Sequence, residues 1–226
     1  MRDLGTFGGY SSVANAINDS GQIVGQSEDY SEISRAFLYS GGIMHNLGAQ
    51  FGDTNSSGQS INASGEAIVM SISRQTAVAN SYLYSNGTMH QLPTLGGVNC
   101  YAEGINDAGQ IVGGADTPNS GPTHAFLDTG GVMLDLGSLP GYPTSQGTRV
   151  NGVGQVVGWG GDADGYPLIG FLYTNGTMYD LNSILDSSGL DTSSAVPTIS
   201  TTADGLRRLR GFRTAPAPCS SSRSRP

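Results

Sequence analysis

Ile105-Asn106-Asp107-Ala108-Gly109-Gln110-Ile111-Val112-Gly113 reads as two short apolar runs folded back on each other. Asn and Asp bond their own backbone in tight turns, and Gly109 supplies the left-handed position at which such a turn closes. The β-branched pair Ile111-Val112 favours an extended strand. The same phrase is written at Ile17–Gly25, at Ile61–Val69 and at Val150–Gly158. The second of these drifts to Glu66-Ala67-Ile68-Val69 where the others keep Gln-Ile-Val-Gly or Gln-Val-Val-Gly.

Working outward, a polar loop follows each phrase: Ser27–Ser34, Ser71–Ala79, Ala115–Thr123 and Trp159–Leu168. A third stretch comes next, Ala36-Phe37-Leu38-Tyr39, Ser81-Tyr82-Leu83-Tyr84, Ala125-Phe126-Leu127-Asp128 and Gly170-Phe171-Leu172-Tyr173. It ends in Gly41-Gly42, Asn86-Gly87, Gly130-Gly131 or Asn175-Gly176, two-residue turns of the kind that close β-hairpins. A fourth stretch runs from a methionine to a leucine. Met1, Met44, Met89, Met133 and Met178 stand 43, 45, 44 and 45 residues apart, and Leu4, Leu47, Leu92, Leu136 and Leu181 follow three residues on.

A fixed period of about 45 residues marks a stacked or radial repeat. Four antiparallel strands per period, joined by hairpins, describe a propeller blade. The rival, a β-solenoid, stacks parallel strands and has no place for two hairpins per repeat. The expected fold is all-β: a β-propeller-like array of four-stranded antiparallel blades in residues 1–204. Counted from the methionines, the repeats are about 1–43, 44–88, 89–132 and 133–177, with a partial fifth at 178–204. An incomplete five-bladed ring is one reading of that count. Residues 205–226 form an Arg-, Pro- and Ser-rich tail expected to be disordered.

The chain has no lysine, and six of its ten arginines follow residue 204, so residues 1–204 carry 4 Arg against 18 acids, a balance of −14. So acidic a body excludes nucleic acid as a partner, because phosphate binding needs a basic face. No apolar run of membrane-spanning length occurs, and no signal peptide opens the chain as written. A monomer is expected. Cys100 and Cys219 sit in unlike contexts, so no disulfide is expected.

Each sharper reading of a residue has a plainer rival. His45 and His90 share a repeat slot, but His124 lies on another strand, and a metal needs three or four convergent ligands. No metal and no cofactor is therefore expected. Gly152–Gly158 has the wrong spacing for a dinucleotide loop. Asp162-Ala163-Asp164-Gly165 lacks the further ligands of a calcium loop. Asn18, Asp19, Asn106 and Asp107 either line a repeated carbohydrate or ion site or cap their own turns, and capping is the favoured reading. Asn55, Asn62, Asn86 and Asn175 head glycosylation sequons, two of which are hairpin turns. Cys100 aligns with Ser12 and has no base beside it. Trp159 and the ten tyrosines read as packing. No Gly-X-Ser-X-Gly elbow and no recurrent His supports a catalytic set, so no catalytic residue is assigned and no enzyme is expected.

Three phrases in register resemble the HAF repeat family of bacterial extracellular proteins. His124-Ala125-Phe126 is the tripeptide that gives the family its name, and Arg35-Ala36-Phe37 is a degenerate copy. Asp3-Leu4-Gly5-Thr6-Phe7-Gly8-Gly9 is similar to the family's opening, and Ile105–Gly113 to its central phrase. The resemblance covers about residues 1–185. It implies a secreted or cell-surface protein with no established enzymatic activity. Met1 falls on the repeat-internal methionine, as expected of an internal codon with repeats and a signal peptide upstream. The shift in composition after Gly205 is expected of a frameshift. The function expected is that of a binding or structural module of unknown ligand and site, with carbohydrate or a cell-surface protein as partner and the variable loops carrying specificity. The alternatives are a polysaccharide hydrolase or lyase, which needs two carboxylates roughly 5–9 Å apart, and a truncated product without function.

Overall fold

A computed structural model describes residues 3–52 and 54–186, and it is all-β. Blade 1 comprises β1 (Gly8–Ile17), β2 (Ile23–Asp29), β3 (Ser34–Ser40) and β4 (Ile43–Asn46). Blade 2 comprises β5 (Asn55–Ile61), β6 (Ala67–Ile72), β7 (Ala79–Ser85) and β8 (Thr88–Gln91). Blade 3 comprises β9 (Cys100–Ile105), β10 (Ile111–Asp116), β11 (Thr123–Thr129) and β12 (Val132–Gly137). Blade 4 comprises β13 (Thr144–Val150), β14 (Val156–Gly161), β15 (Pro167–Thr174) and β16 (Thr177–Asp180). Each blade is a separate antiparallel meander in chain order. The four together form the propeller-like array that the repeat predicts.

The turns follow from their residues. Asn86 and Asn175 sit at φ 51°, with Gly87 and Gly176 at φ 80°, the paired positive values of a type I′ hairpin. The four repeat methionines among the described residues pair with the same position of strand 3: Met44 with Tyr39, Met89 with Tyr84, Met133 with Asp128 and Met178 with Tyr173. The methionine stretch is thus the last strand of each blade, and periods counted from it cut every sheet before its final strand. Met178 completes blade 4, and a six-residue helix, α1 (Leu181–Asp186), follows. The remainder of the partial fifth repeat, the tail with Cys219, and Met1 lie outside the described residues.

The first strands of all four blades bulge at one position, occupied by Asn15, Gln59, Glu103 and Thr148. A bulge re-aims its side chain and sharpens the local twist. It also brings backbone close to the neighbouring strand. A Cβ on Gly25, Gly113 or Gly158 would lie 2.0, 2.1 or 1.9 Å from the carbonyl oxygens of Val13, Tyr101 and Gln146, so these positions admit only glycine. Blade 2 alone carries a side chain there, Val69.

The apolar cores lie between blades. One joins Val24, Ala36, Leu38 and Leu47 of blade 1 to Ile61, Ala67 and Val69 of blade 2. The second joins Ile68 and Leu92 to Cys100, Ala102, Ile105 and Ile111. The third joins Val112, Ala125 and Leu136 to Val156 and Phe171. Each first strand packs on strands of the preceding blade, and successive first strands touch one another, which places them at the hub. Among the described residues no comparable packing links blade 1 to blade 4. No helix among them is long and apolar enough to cross a membrane.

The loops between strands 2 and 3 are shorter than the sequence suggests. Ser27, Ser71, Ala115 and Trp159 belong to strand 2, and Ser34, Ala79, Thr123 and Leu168 to strand 3. The loops proper reduce to residues 30–33, 73–78, 117–122 and 162–166. In the first and fourth loops the polar edge residues pair as strand because carboxylates cap the turns: Asp29 Oδ1 accepts from the Ser31 and Ile33 N–H, and Asp162 Oδ1 from those of Asp164 and Tyr166. Asp162-Ala163-Asp164-Gly165 is such a capped turn.

Candidate functional site

Two sets of repeated polar contacts define the boundaries between blades. The first is a ladder of asparagines. The amide Nδ2 of Asn18 donates to the Asn62 carbonyl at 3.0 Å, that of Asn62 to the Asn106 carbonyl at 3.2 Å, and that of Asn106 to the Asn151 carbonyl at 2.8 Å. The Oδ1 of each accepts two N–H groups of its own turn; for Asn106 these are Ala108 and Gln110. Capping is therefore the role of Asn18 and Asn106. Asp107 adds a bond across the boundary, accepting from the Ala63 N–H at 2.8 Å.

The second set sits one strand length away. Ser56 Oγ accepts from the Ala36 N–H at 2.9 Å, and Ser145 Oγ from the Ala125 N–H at 2.8 Å. At the middle boundary the partners exchange places. Cys100 occupies the serine position, and Ser81 occupies the alanine position. Ser81 Oγ donates to the Cys100 carbonyl at 2.9 Å and accepts from the Ala102 N–H at 2.8 Å. Burial pushes the Cys100 thiol up to about 12, partly offset by its hydrogen bond with Ser81.

Beside these contacts, clefts open at corresponding points of two boundaries. The first, about 250 Å³, lies between blades 1 and 2. Asn15, Gln26 and Ser34 line one side and Asn55, Ser57 and Gln59 the other, with Met70 and Ile72 as an apolar wall. No charged side chain lines it. Asn15 is held by bonds from Nδ2 to Ser57 Oγ at 3.1 Å and to the Gly58 carbonyl at 2.8 Å. Asn55 Oδ1 accepts the Ser34 N–H. Gln26 and Gln59 carry amides that lack a hydrogen-bond partner among the described residues. The bulge places both Asn15 and Gln59 at the hub end of the cleft. The second cleft, about 450 Å³, lies between blades 3 and 4 and is lined by Thr123, Thr144, Ser120 and one acid, Asp164. Thr123 and Thr144 correspond in the repeat to Ser34 and Asn55 of the first cleft.

The hub holds one more polar contact of this kind. Glu103 Oε1 accepts from Gln146 Nε2 at 2.6 Å across the boundary of blades 3 and 4. Burial raises the Glu103 carboxyl above the usual range, against the Gln146 bond and the Arg149 charge.

The other candidates disperse. His45 and His90 are exposed on β4 and β8. His124 Nδ1 lies 3.0 Å from Asp135 Oδ1. The residues at the matching position of blades 2 and 1 also bond side chain to side chain: Asn80 accepts from Gln91, and Arg35 pairs with Asp29 at 2.7 Å. That ion pair holds the Asp29 carboxyl below its ordinary range. No group of three potential metal ligands occurs among the described residues. Gly152–Gly154 is the repeat turn, and β14 follows it, not a helix. Asn62, 3% exposed with its Nδ2 engaged, is closed to a glycan. Trp159 is half-buried on β14, while Tyr10 and Tyr30 are 94% and 89% exposed. The bulges, the asparagine ladder and the clefts were not anticipated from sequence. The signal for the ladder was present, since Asn and the turn Gly are the two residues that all four central phrases share, and only the Asn has a side chain.

No family model and no curated protein matches the chain. Among solved structures, the chain is similar to the crystal structure of a triple Arg-to-Ala mutant of AofleA from Arthrobotrys oligospora, at 14% identity and a TM-score of 0.47. The similarity covers 76% of this chain and 56% of that one, so the chain spans little more than half of its length.

Proposed function

We propose that the chain is a non-enzymatic module that binds carbohydrate in the clefts between its blades. The observation that carries this reading is the first cleft. Its lining pairs neutral amides and hydroxyls with the apolar side chains of Met70 and Ile72. Sugars present the same mixture, hydroxyls on the edges and C–H groups on the faces. The uncommitted amides of Gln26 and Gln59 supply both donors and acceptors. A glycosidase would need two facing carboxylates; the first cleft offers none and the second offers Asp164 alone. The resemblance to HAF repeats supports a place outside the cell or on its surface.

A glycan array probed with the full chain, followed by calorimetric titration of the best ligand, tests this. Gln26→Ala and Gln59→Ala are expected to weaken binding at least tenfold each without changing the melting temperature. No glycan bound, or binding indifferent to both substitutions, would refute the cleft. Release of reducing ends from the bound glycan would replace the reading with the hydrolase.

A further inference from the structure

We infer that a second copy of this chain docks head to tail on the open side of blade 1, presenting its own blade 4. The described residues build one type of interface three times, and the first and last of the four blades carry the two unmatched halves of it. On blade 1, Ile17 is 67% exposed, whereas Ile61 and Ile105 at the same position of blades 2 and 3 are 8% and 9% exposed because the preceding blade covers them. Ser12 is exposed, whereas Ser56 and Ser145 are buried with their hydroxyls on the preceding blade. On blade 4, Val157 is half-exposed, whereas Val24, Ile68 and Val112 are fully buried under the following blade.

The polar groups at the two ends match as well. Asn151, the last of the ladder, donates from Nδ2 to Gln155 of its own turn, and no following asparagine carbonyl meets it among the described residues. The Asn18 carbonyl of a second copy would take that place. Asp19 corresponds to Asp107, which accepts from the Ala63 N–H, and the residue corresponding to Ala63 in blade 4 is Gly152. The Gly170 N–H stands where Ala36 and Ala125 bond a serine hydroxyl, and Ser12 is that serine. A contact between unlike faces either closes into a ring or propagates. Two copies of the four described blades make eight, within the range that propellers close, so the expected product is a closed pair.

Sedimentation analysis of the full chain tests the inference. The expected mass is twice the 23.3 kDa of the chain. Ile17→Asp blocks the receiving face and Val157→Asp the presenting face, so each variant alone is expected to sediment as a monomer. An equimolar mixture keeps one intact junction and is expected to recover the dimer. Gly170→Asp replaces Val157→Asp should circular dichroism show that variant unfolded. A wild-type monomer at all concentrations overturns the inference, as it would if residues of the same chain covered these faces. A dimer that survives Ile17→Asp, or a mixture that stays monomeric, overturns it too.

Discussion

Asn62 donates from Nδ2 to the backbone carbonyl of Asn106 across 3.2 Å, tying the turn of one blade to the turn of the next. The same side chain accepts from the Ser64 and Glu66 N–H groups, so one residue shapes a hairpin and fixes its distance from a neighbour. Removing it takes one of two donors from the buried Asn106 carbonyl and strands the part-buried N–H groups of Ser64 and Glu66. Asn62→Ala is expected to cost about 2–4 kcal/mol, since each of the hydrogen bonds it loses contributes roughly 0.5–1.5 kcal/mol. Urea denaturation read by far-UV circular dichroism checks the figure. Asn62→Asp keeps the acceptor and loses the donor beside Glu66, and is expected to be no milder.

Ser81 and Cys100 form a compensated pair. Ser81→Ala leaves the Ala102 N–H without its acceptor and is expected to destabilise by about 1–3 kcal/mol. Adding Cys100→Ser recreates the arrangement of Ala36 with Ser56, and the double variant is expected to regain most of the loss. A double-mutant cycle measures the coupling, expected to exceed about 0.5 kcal/mol. Additive single effects would show that the exchange of positions carries no energetic meaning.

The buried thiol also sets a pH dependence. Cys100 titrates near 9.0 when unfolded and near 12 in the fold, so between those values the unfolded chain holds fewer protons than the folded one. Stability is then unaffected below pH 9.0 and falls as pH rises through that window, with a limiting slope of about 1.4 kcal/mol per pH unit from this group. Cys100→Ala is expected to flatten the decline. In a Cys219→Ser background, a thiol reagent at neutral pH is expected to label the protein only on unfolding.

Glu103 shifts upward by burial, so the fold favours its neutral form. Its contribution is full below the unfolded carboxyl value of 4.5 and is lost as pH rises through the higher folded value. Glu103→Gln preserves the amide contact with Gln146 and removes the titration. The variant is expected to match wild type at acid pH and to be the more stable of the two at pH 7. Thermal melts across that range decide it.

The strand order, the hairpins and the propeller-like architecture were legible because each rests on local chemistry: the Asn-Gly turns at 86 and 175, the β-branched pairs at 23 and 111, and a period that repeats them. The ends of the loops were not. Ser27 and Trp159 look like loop residues by composition, yet they pair because turn-capping carboxylates carry the hairpins outward. The clefts were illegible for a different reason. Asn15 and Gln59 stand 44 positions apart and line one cleft, and only the bulge in each first strand turns them toward it. A bulge leaves no mark on a hydrophobic pattern beyond one polar residue out of phase.

Cohesion placed at boundaries, not inside sheets, leaves a single module unable to stand alone. A lineage can then gain or shed whole modules of about 44–45 residues, since every surviving junction keeps its contacts. The price is that a chain cut anywhere along this series exposes an adhesive edge at each new terminus.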